Sequence, residues 1–270
     1  MKYILLFFMS AIVNLAVAQE QIPQNSVNFL QQLLLQESKN EYDGGVLSSE
    51  ELASTMNKYD FSSVWLQRND AILGFIGDDN YQRLKIKFVT IVKNADDPAK
   101  YYVYGKSMVK ANICSFLGEV KLLKIRQINI DAKIKQNLFE EYRDEGENAK
   151  KFLAPEYVLI AQYSFFEDPK TKDSGKFEGI LKTNFYIYQD TVYYNDLRIE
   201  MNDNYNNNQF VGVWTSYAKG KSKICNWGEF RIPYAQKLDI GSGEFMPNAI
   251  YYPYGWASYT KHNEEIEWWK

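Results

Sequence analysis

The 270-residue chain holds one histidine, His262, and two cysteines, Cys114 and Cys225. Those ligands are too few for a four-coordinate Cys/His zinc site. His262 has only Glu264 and Glu265 beside it and no second imidazole for a metal or acid–base pair, so it reads as a solvated tail residue. An excess of one charge is missing too: 31 Lys and Arg stand against 34 Asp and Glu. That balance supplies no basic footprint for nucleic acid or for an anionic membrane surface. A Gly-x-Ser-x-Gly nucleophile elbow is absent. Gly105-Lys106-Ser107 and Gly220-Lys221-Ser222 resemble the end of a phosphate-binding loop, but Lys100 and Thr215 occupy the place of its leading glycine. The amide-rich stretch from Asp203 puts Tyr205 at a calcium-ligand position and Asn208 where the sharp-turn glycine is needed, which excludes an EF-hand. No cofactor or metal is implied.

Long apolar runs are also scarce, and the one at the start has the form of a secretory signal. Lys2 supplies the charged beginning, residues 4–13 the apolar core, and Ala16-Val17-Ala18 the small-x-small cleavage pattern before a polar run. The core is shorter than the roughly 20 residues a spanning helix needs. Residues 1–18 are therefore expected to be removed, placing the mature protein in the periplasm or outside the cell. No cysteine follows the cleavage pattern, which argues against a lipid anchor.

What is abundant is aromatic: Phe, Trp and Tyr make up 16% of the chain, with 21 tyrosines. Rings with a polar tip suit strands that have one wet face. Val27, Leu30, Leu34 and Leu35 recur at helical spacing, predicting a helix over 26–38, and Ser49 with Glu50 and Glu51 opens a short helix over 49–58. From Phe61 on the period changes to two. Leu84, Ile86 and Phe88 alternate with Lys85 and Lys87, and the stretches 101–104, 115–125, 157–166, 177–188, 191–199 and 209–217 read the same way. Between them, Ile134, Leu138 and Tyr142 predict an amphipathic helix over 131–146, placed to cover an open end of the sheet.

Phe-x-Gly recurs at Phe75, Phe116, Phe177 and Phe210. Phe and Gly two apart on a strand share a face, so the ring can lie over the bare glycine while the glycine lets the sheet bend toward closure. The predicted fold is mainly β: an antiparallel barrel or strongly curved sheet over 61–270, preceded by a helical segment over 19–60. Two β-domains divided near Asp131 are the alternative.

In an oxidising compartment an even cysteine count predicts a Cys114–Cys225 disulfide, two separate buried thiols being the alternative. Glu229, Asp239 and Glu244, among Trp227, Tyr234, Phe245 and Trp256, have the residue types of a carboxylate-dependent glycoside hydrolase. The favoured reading is a binding or interaction protein, with Trp214, Trp227, Tyr251, Tyr254 and Trp256 as candidate rings for a glycan or small apolar ligand. Trp227, two residues after Cys225, is expected in the core, and Tyr251 and Tyr254, flanking Pro253, on the surface. Tyr186, Tyr188, Tyr194 and Trp214 are the rings expected to line a pocket if one is enclosed.

Residues 65–256, with their Phe-x-Gly strands, Gly-Lys-Ser turns, Cys225-Asn226-Trp227-Gly228 and the run Asp-Ile-Gly-Ser-Gly-Glu-Phe at 239–245, resemble uncharacterised exported bacterial proteins, some of lipocalin- or calycin-like barrel character. Gly212-Val213-Trp214 has the Gly-x-Trp letters of lipocalins, which in that family lie on the first strand and here lie late. The resemblance implies an antiparallel barrel with no assigned activity, and no site residue carries over from it.

Overall fold

The computed structural model describes residues 23–38, 45–68, 70–197, 199, 204–260 and 267–270. The expected signal and His262 lie outside the described residues. Among the described residues ten strands form one antiparallel sheet. They are β1 (Val46–Leu47), β2 (Ile72–Ile76), β3 (Gln82–Lys93), β4 (Lys100–Val109), β5 (Asn112–Asn129), β6 (Glu156–Glu167), β7 (Gly175–Tyr188), β8 (Thr191–Tyr194), β9 (Asn207–Ser216) and β10 (Ser222–Glu229). Each strand from β2 to β7 pairs with the next, β7 also pairs with β9, β9 with β10, and β10 returns to β2. With β1 and β8 outside this circuit, eight strands close an up-and-down barrel that leaves no long free edge. β5 and β6 flank the central helix yet pair from Phe116↔Glu167 to Ile128↔Glu156, which removes the two-domain alternative.

Period two does its expected work. Leu84, Ile86 and Phe88 are buried while Lys85 and Lys87 are half-exposed on the outer face. The interior is filled, not hollow: Phe116 stacks on Phe165, Phe210 on Trp227, and Tyr163 meets Trp227 edge-on. Room for these rings comes from inward-facing glycines opposite them. Phe116 faces Gly105, Phe165 faces Gly118, Tyr163 faces Gly179 and Trp227 faces Gly74 across adjacent strands. A Cβ on Gly118 would stand 2.8 Å from Phe165 Cδ1, and one on Gly74 2.8 Å from Trp227 Cβ. The ring therefore lies over a glycine on the neighbouring strand, whereas the Phe-x-Gly pattern predicts one on its own strand. Such pairs, with register shifts at Phe88/Thr90, Leu122/Lys124 and Trp227/Glu229, give the wall its curvature.

One end of the barrel is plugged by α2 (Ala53–Met56) and α3 (Ser62–Leu66). Phe61, Val64 and Trp65 are buried there; Trp65 meets Tyr101 edge-on at 4.9 Å and donates its indole N–H to Thr183 Oγ1 at 3.0 Å. The helix expected to cover an end, α4 (Ala132–Glu141), is capped by Asp131 but buries none of its residues and packs on the 3₁₀ turn Ala149–Leu153. The amphipathic pattern marked a helix correctly; the five residues that close the barrel read as the start of a strand.

Two segments coat the outer wall. The predicted N-terminal helix, α1 (Gln24–Ser38), lays Phe29 and Leu33 on Ile128, Val158, Ile160, Ile180 and Val211, and is pinned by Ser26 Oγ donating to the Val211 carbonyl at 2.7 Å. Burying two such side chains is worth about 1.5–3 kcal/mol each. The C-terminal stretch covers β2: Phe245, Tyr251 and Trp256 pack with Leu73, Phe75 and Tyr81. Among the described residues no helix is long and apolar enough to cross a membrane.

The predicted disulfide is absent: Cys114 and Cys225 are both free and buried. Cys114 lies on β5, paired with Ser107, and Cys225 on β10, paired with Ile76 and Gly212. β5 and β10 are four strands apart whichever way the eight-strand ring is counted, so the thiols rise from opposite walls. Strands stand about 4.8 Å apart and a disulfide needs α-carbons within about 7 Å. The even count is a coincidence of two inward-facing positions.

Candidate ligand site at the open end of the barrel

The end opposite the plug is formed by the β2–β3, β4–β5, β6–β7 and β9–β10 turns. Here the filled core stops short and leaves a cavity of about 300 Å³. Its apolar lining is Ile76, Val109, Phe177 and Trp214, and its polar lining includes Ser107, Cys114 and Glu167. Alternation explains how they converge. Tyr163, Phe165 and Glu167 are successive inward positions of β6, so the carboxylate stands on the same face as two buried rings, one step nearer the mouth. Trp214 occupies the inward position after Phe210 and Gly212 on β9, and Gly175, its neighbour on β7, leaves space for the indole.

Glu167 is 4% exposed and is held wholly by neutral donors. The Trp214 indole N–H donates to Oε2 at 2.9 Å, the Gly175 amide to the same oxygen at 2.8 Å, and the Ser107 hydroxyl to Oε1. A buried carboxylate has to be satisfied in this way, because a missing donor would cost more than the bond returns. These bonds fix Trp214 in place as one wall of the cavity. Beside them the Cys114 thiol is pushed up to about 12, chiefly by burial and next by the Glu167 charge. It stays protonated at neutral pH and is no nucleophile. The base of the mouth is thus a polar floor whose donors are engaged within the fold, beneath apolar walls that leave room for an apolar group. Among the described residues no group of three or more His, Cys, Asp or Glu side chains is placed to hold a metal ion.

Of the five rings expected to bind a ligand, Trp214 alone lines this cavity. Trp227 is fully buried in the barrel core, as its position beside Cys225 suggested. Trp256 is fully buried as well, its indole N–H donating to the Tyr81 carbonyl at 2.7 Å. Tyr251, expected on the surface, is 8% exposed because its ring packs edge-on against Tyr81; Tyr254 remains 36% exposed. Trp227, Tyr251 and Trp256 therefore form no exposed row. The four rings expected around an enclosed pocket divide: Tyr186 and Tyr194 border a groove beside α3, Trp214 the mouth, while the Tyr188 hydroxyl donates to Glu147.

The three carboxylates also separate in role. Glu229 is 1% exposed at the plugged end and accepts from Tyr194 OH at 2.6 Å and Asn208 Nδ2 at 2.8 Å. Thr183 Oγ1 donates to Asn208 Oδ1 at 2.8 Å, which links this acid to Trp65 of the plug. Burial raises the Glu229 carboxyl to about 8, the two hydrogen bonds offsetting only part of the desolvation. Asp239 is bound by Arg231 at 2.6 Å and by the Gly241 amide, organising the C-terminal loop, and Glu244 is exposed.

The sequence reading missed Glu167, Ser107, Val109 and Phe177 as site residues. A carboxylate continuing an aromatic face, as in Tyr163-x-Phe165-x-Glu167, was the available signal. Comparison with protein-family models, curated proteins and solved structures gives no match.

Proposed function

We propose that this chain is an exported binding protein that takes a small, largely apolar ligand in the mouth of its barrel. The observation that carries the reading is the cavity of about 300 Å³, walled by Trp214, Phe177, Ile76 and Val109 over a floor whose polar groups already have partners. Ligand sites favour barrel mouths and combine apolar walls with few polar groups, and this volume lies at the small end of their range. A floor with its donors spent offers little to a polar ligand and much to a ring. Export is supported by Lys2, the apolar residues 4–13 and the Ala16-Val17-Ala18 pattern. The resemblance to exported proteins of lipocalin- or calycin-like character points to the same class.

Calorimetric titration with 2-naphthamide, a neutral bicyclic probe, tests the reading. One site per chain is expected, lost in Val109→Trp, which fills the cavity, and weakened in Trp214→Ala, with melting temperatures checking that each variant folds. Undiminished binding by a folded Val109→Trp, or no binding by the wild type, would contradict it.

A further inference from the structure

The rim of the mouth carries charge that the fold does not use. Lys223 follows Trp227 and Cys225 at the next inward position of β10 and pairs in register with Trp214, so its stem runs along the cavity wall. Lys110 sits in the β4–β5 turn with φ 57, a left-handed conformation that seldom suits a residue with a side chain. Both lysines are exposed, both line the cavity, and neither ammonium has a hydrogen-bond or ion-pair partner among the described residues. Negative charge in the lining comes from Asp173, on the exposed β6–β7 loop, and from Glu167 at the floor.

This arrangement sorts a ligand from end to end. An anionic group cannot descend to the floor, where Glu167 would repel it and where the Ser107, Trp214 and Gly175 donors are already engaged. A cationic group meets a rim of net positive charge, Lys110 and Lys223 against Asp173, and below it a carboxylate already engaged by three donors. The walls below the rim are apolar.

We propose that the mouth binds a small organic anion, its carboxylate or sulfonate held at the rim by Lys110 and Lys223 and its apolar ring body seated between Trp214 and Phe177. The inference rests on the reading of the mouth as a ligand site and adds the charge and orientation of the ligand. A cavity of about 300 Å³ lies at the small end of ligand-site volumes, which suits a buried part of one or two rings.

The test compares 2-naphthoate with 2-naphthamide, which share ring body and head-group size but differ in charge and in the amide's two N–H donors, by calorimetric titration of the purified protein and of the double variant Lys110→Gln, Lys223→Gln. Naphthoate is expected to bind about three- to thirtyfold more tightly, as two solvent-exposed ion pairs allow. The advantage should shrink on going from about 0.01 M to 1 M salt, as screening shortens. In the double variant the advantage should vanish while naphthamide affinity holds. Equal affinities for the two probes, or an advantage that survives in the double variant, would overturn the anion inference and leave the ligand site standing. Failure of both probes to bind would overturn the two together.

Discussion

Tyr163 faces Gly179 across the β6–β7 pair, and its hydroxyl lies 2.7 Å from where a Cβ on Gly179 would stand. Gly179 in turn pairs with Gly212 on β9, so one tyrosine covers two bare backbones on successive strands. The hydroxyl reaches this place without a hydrogen-bond partner. Shape, not polarity, keeps the ring there. A methyl group on Gly179 would also meet the Val211 carbonyl oxygen. Gly179→Ala should destabilise the protein by about 1–3 kcal/mol, the usual cost of overpacking. Tyr163→Phe, which removes an unpaired buried hydroxyl, should be neutral or stabilising by about 1 kcal/mol. Urea unfolding of both variants checks the opposite signs.

Glu229 makes stability depend on pH. Its carboxyl is raised from 4.5 to about 8 in the fold, chiefly by burial, so the folded chain holds a proton that the unfolded chain releases. The associated stabilisation is complete below about pH 4.5 and is lost as pH rises through about 8, at no more than about 1.4 kcal/mol per pH unit. Glu229→Gln keeps the shape and removes the titration. Chemical denaturation across pH 5 to 9 should show the wild type losing stability relative to Glu229→Gln; parallel curves would contradict the assignment.

The plug is held by packing and by one hydrogen bond, and the two can be separated. Trp65→Ala should cost about 3–5 kcal/mol, as expected for a fully buried indole. Trp65→Phe keeps most of the ring and loses the bond to Thr183, so about 1 kcal/mol is expected. Thermal melts distinguish them.

Two thiols on opposite walls cannot pair without unfolding. The native protein should resist a thiol-reactive dye, and after denaturation without reductant both cysteines should be alkylated, giving a mass gain of two adducts. A denatured chain with no reactive thiol would mean that Cys114 and Cys225 are bridged.

Local period made much of this fold legible. Leu84, Ile86 and Phe88 against Lys85 and Lys87 announced a strand with one wet face, Val27 to Leu35 announced α1, and the repeated Phe-x-Gly announced curvature, because each depends only on neighbours along the chain. What escaped depends on register around the ring. Nothing local places Phe165 over Gly118, sets Cys114 opposite Cys225, or carries Glu167 to the floor of a cavity with Trp214. The α3 half of the plug escaped for another reason: Val64 and Trp65 occupy a helix too short to display a period, whereas α2 falls within the helix expected over 49–58. Tyr251 looked like a surface ring beside Pro253 and Trp256 like a candidate ligand ring, and their burial follows from the way the C-terminal stretch folds back on β2.

If the mouth beside Trp214 receives the ligand, Trp214 reports on it directly. Protein labelled with 5-fluorotryptophan, its resonances assigned with Trp214→Phe and the other single variants, should be titrated with 2-naphthoate by ¹⁹F NMR. The Trp214 resonance should shift to saturation at one ligand per chain while those of Trp65, Trp227 and Trp256, buried away from the mouth, stay in place. Saturable binding that leaves Trp214 unmoved would contradict binding at the mouth.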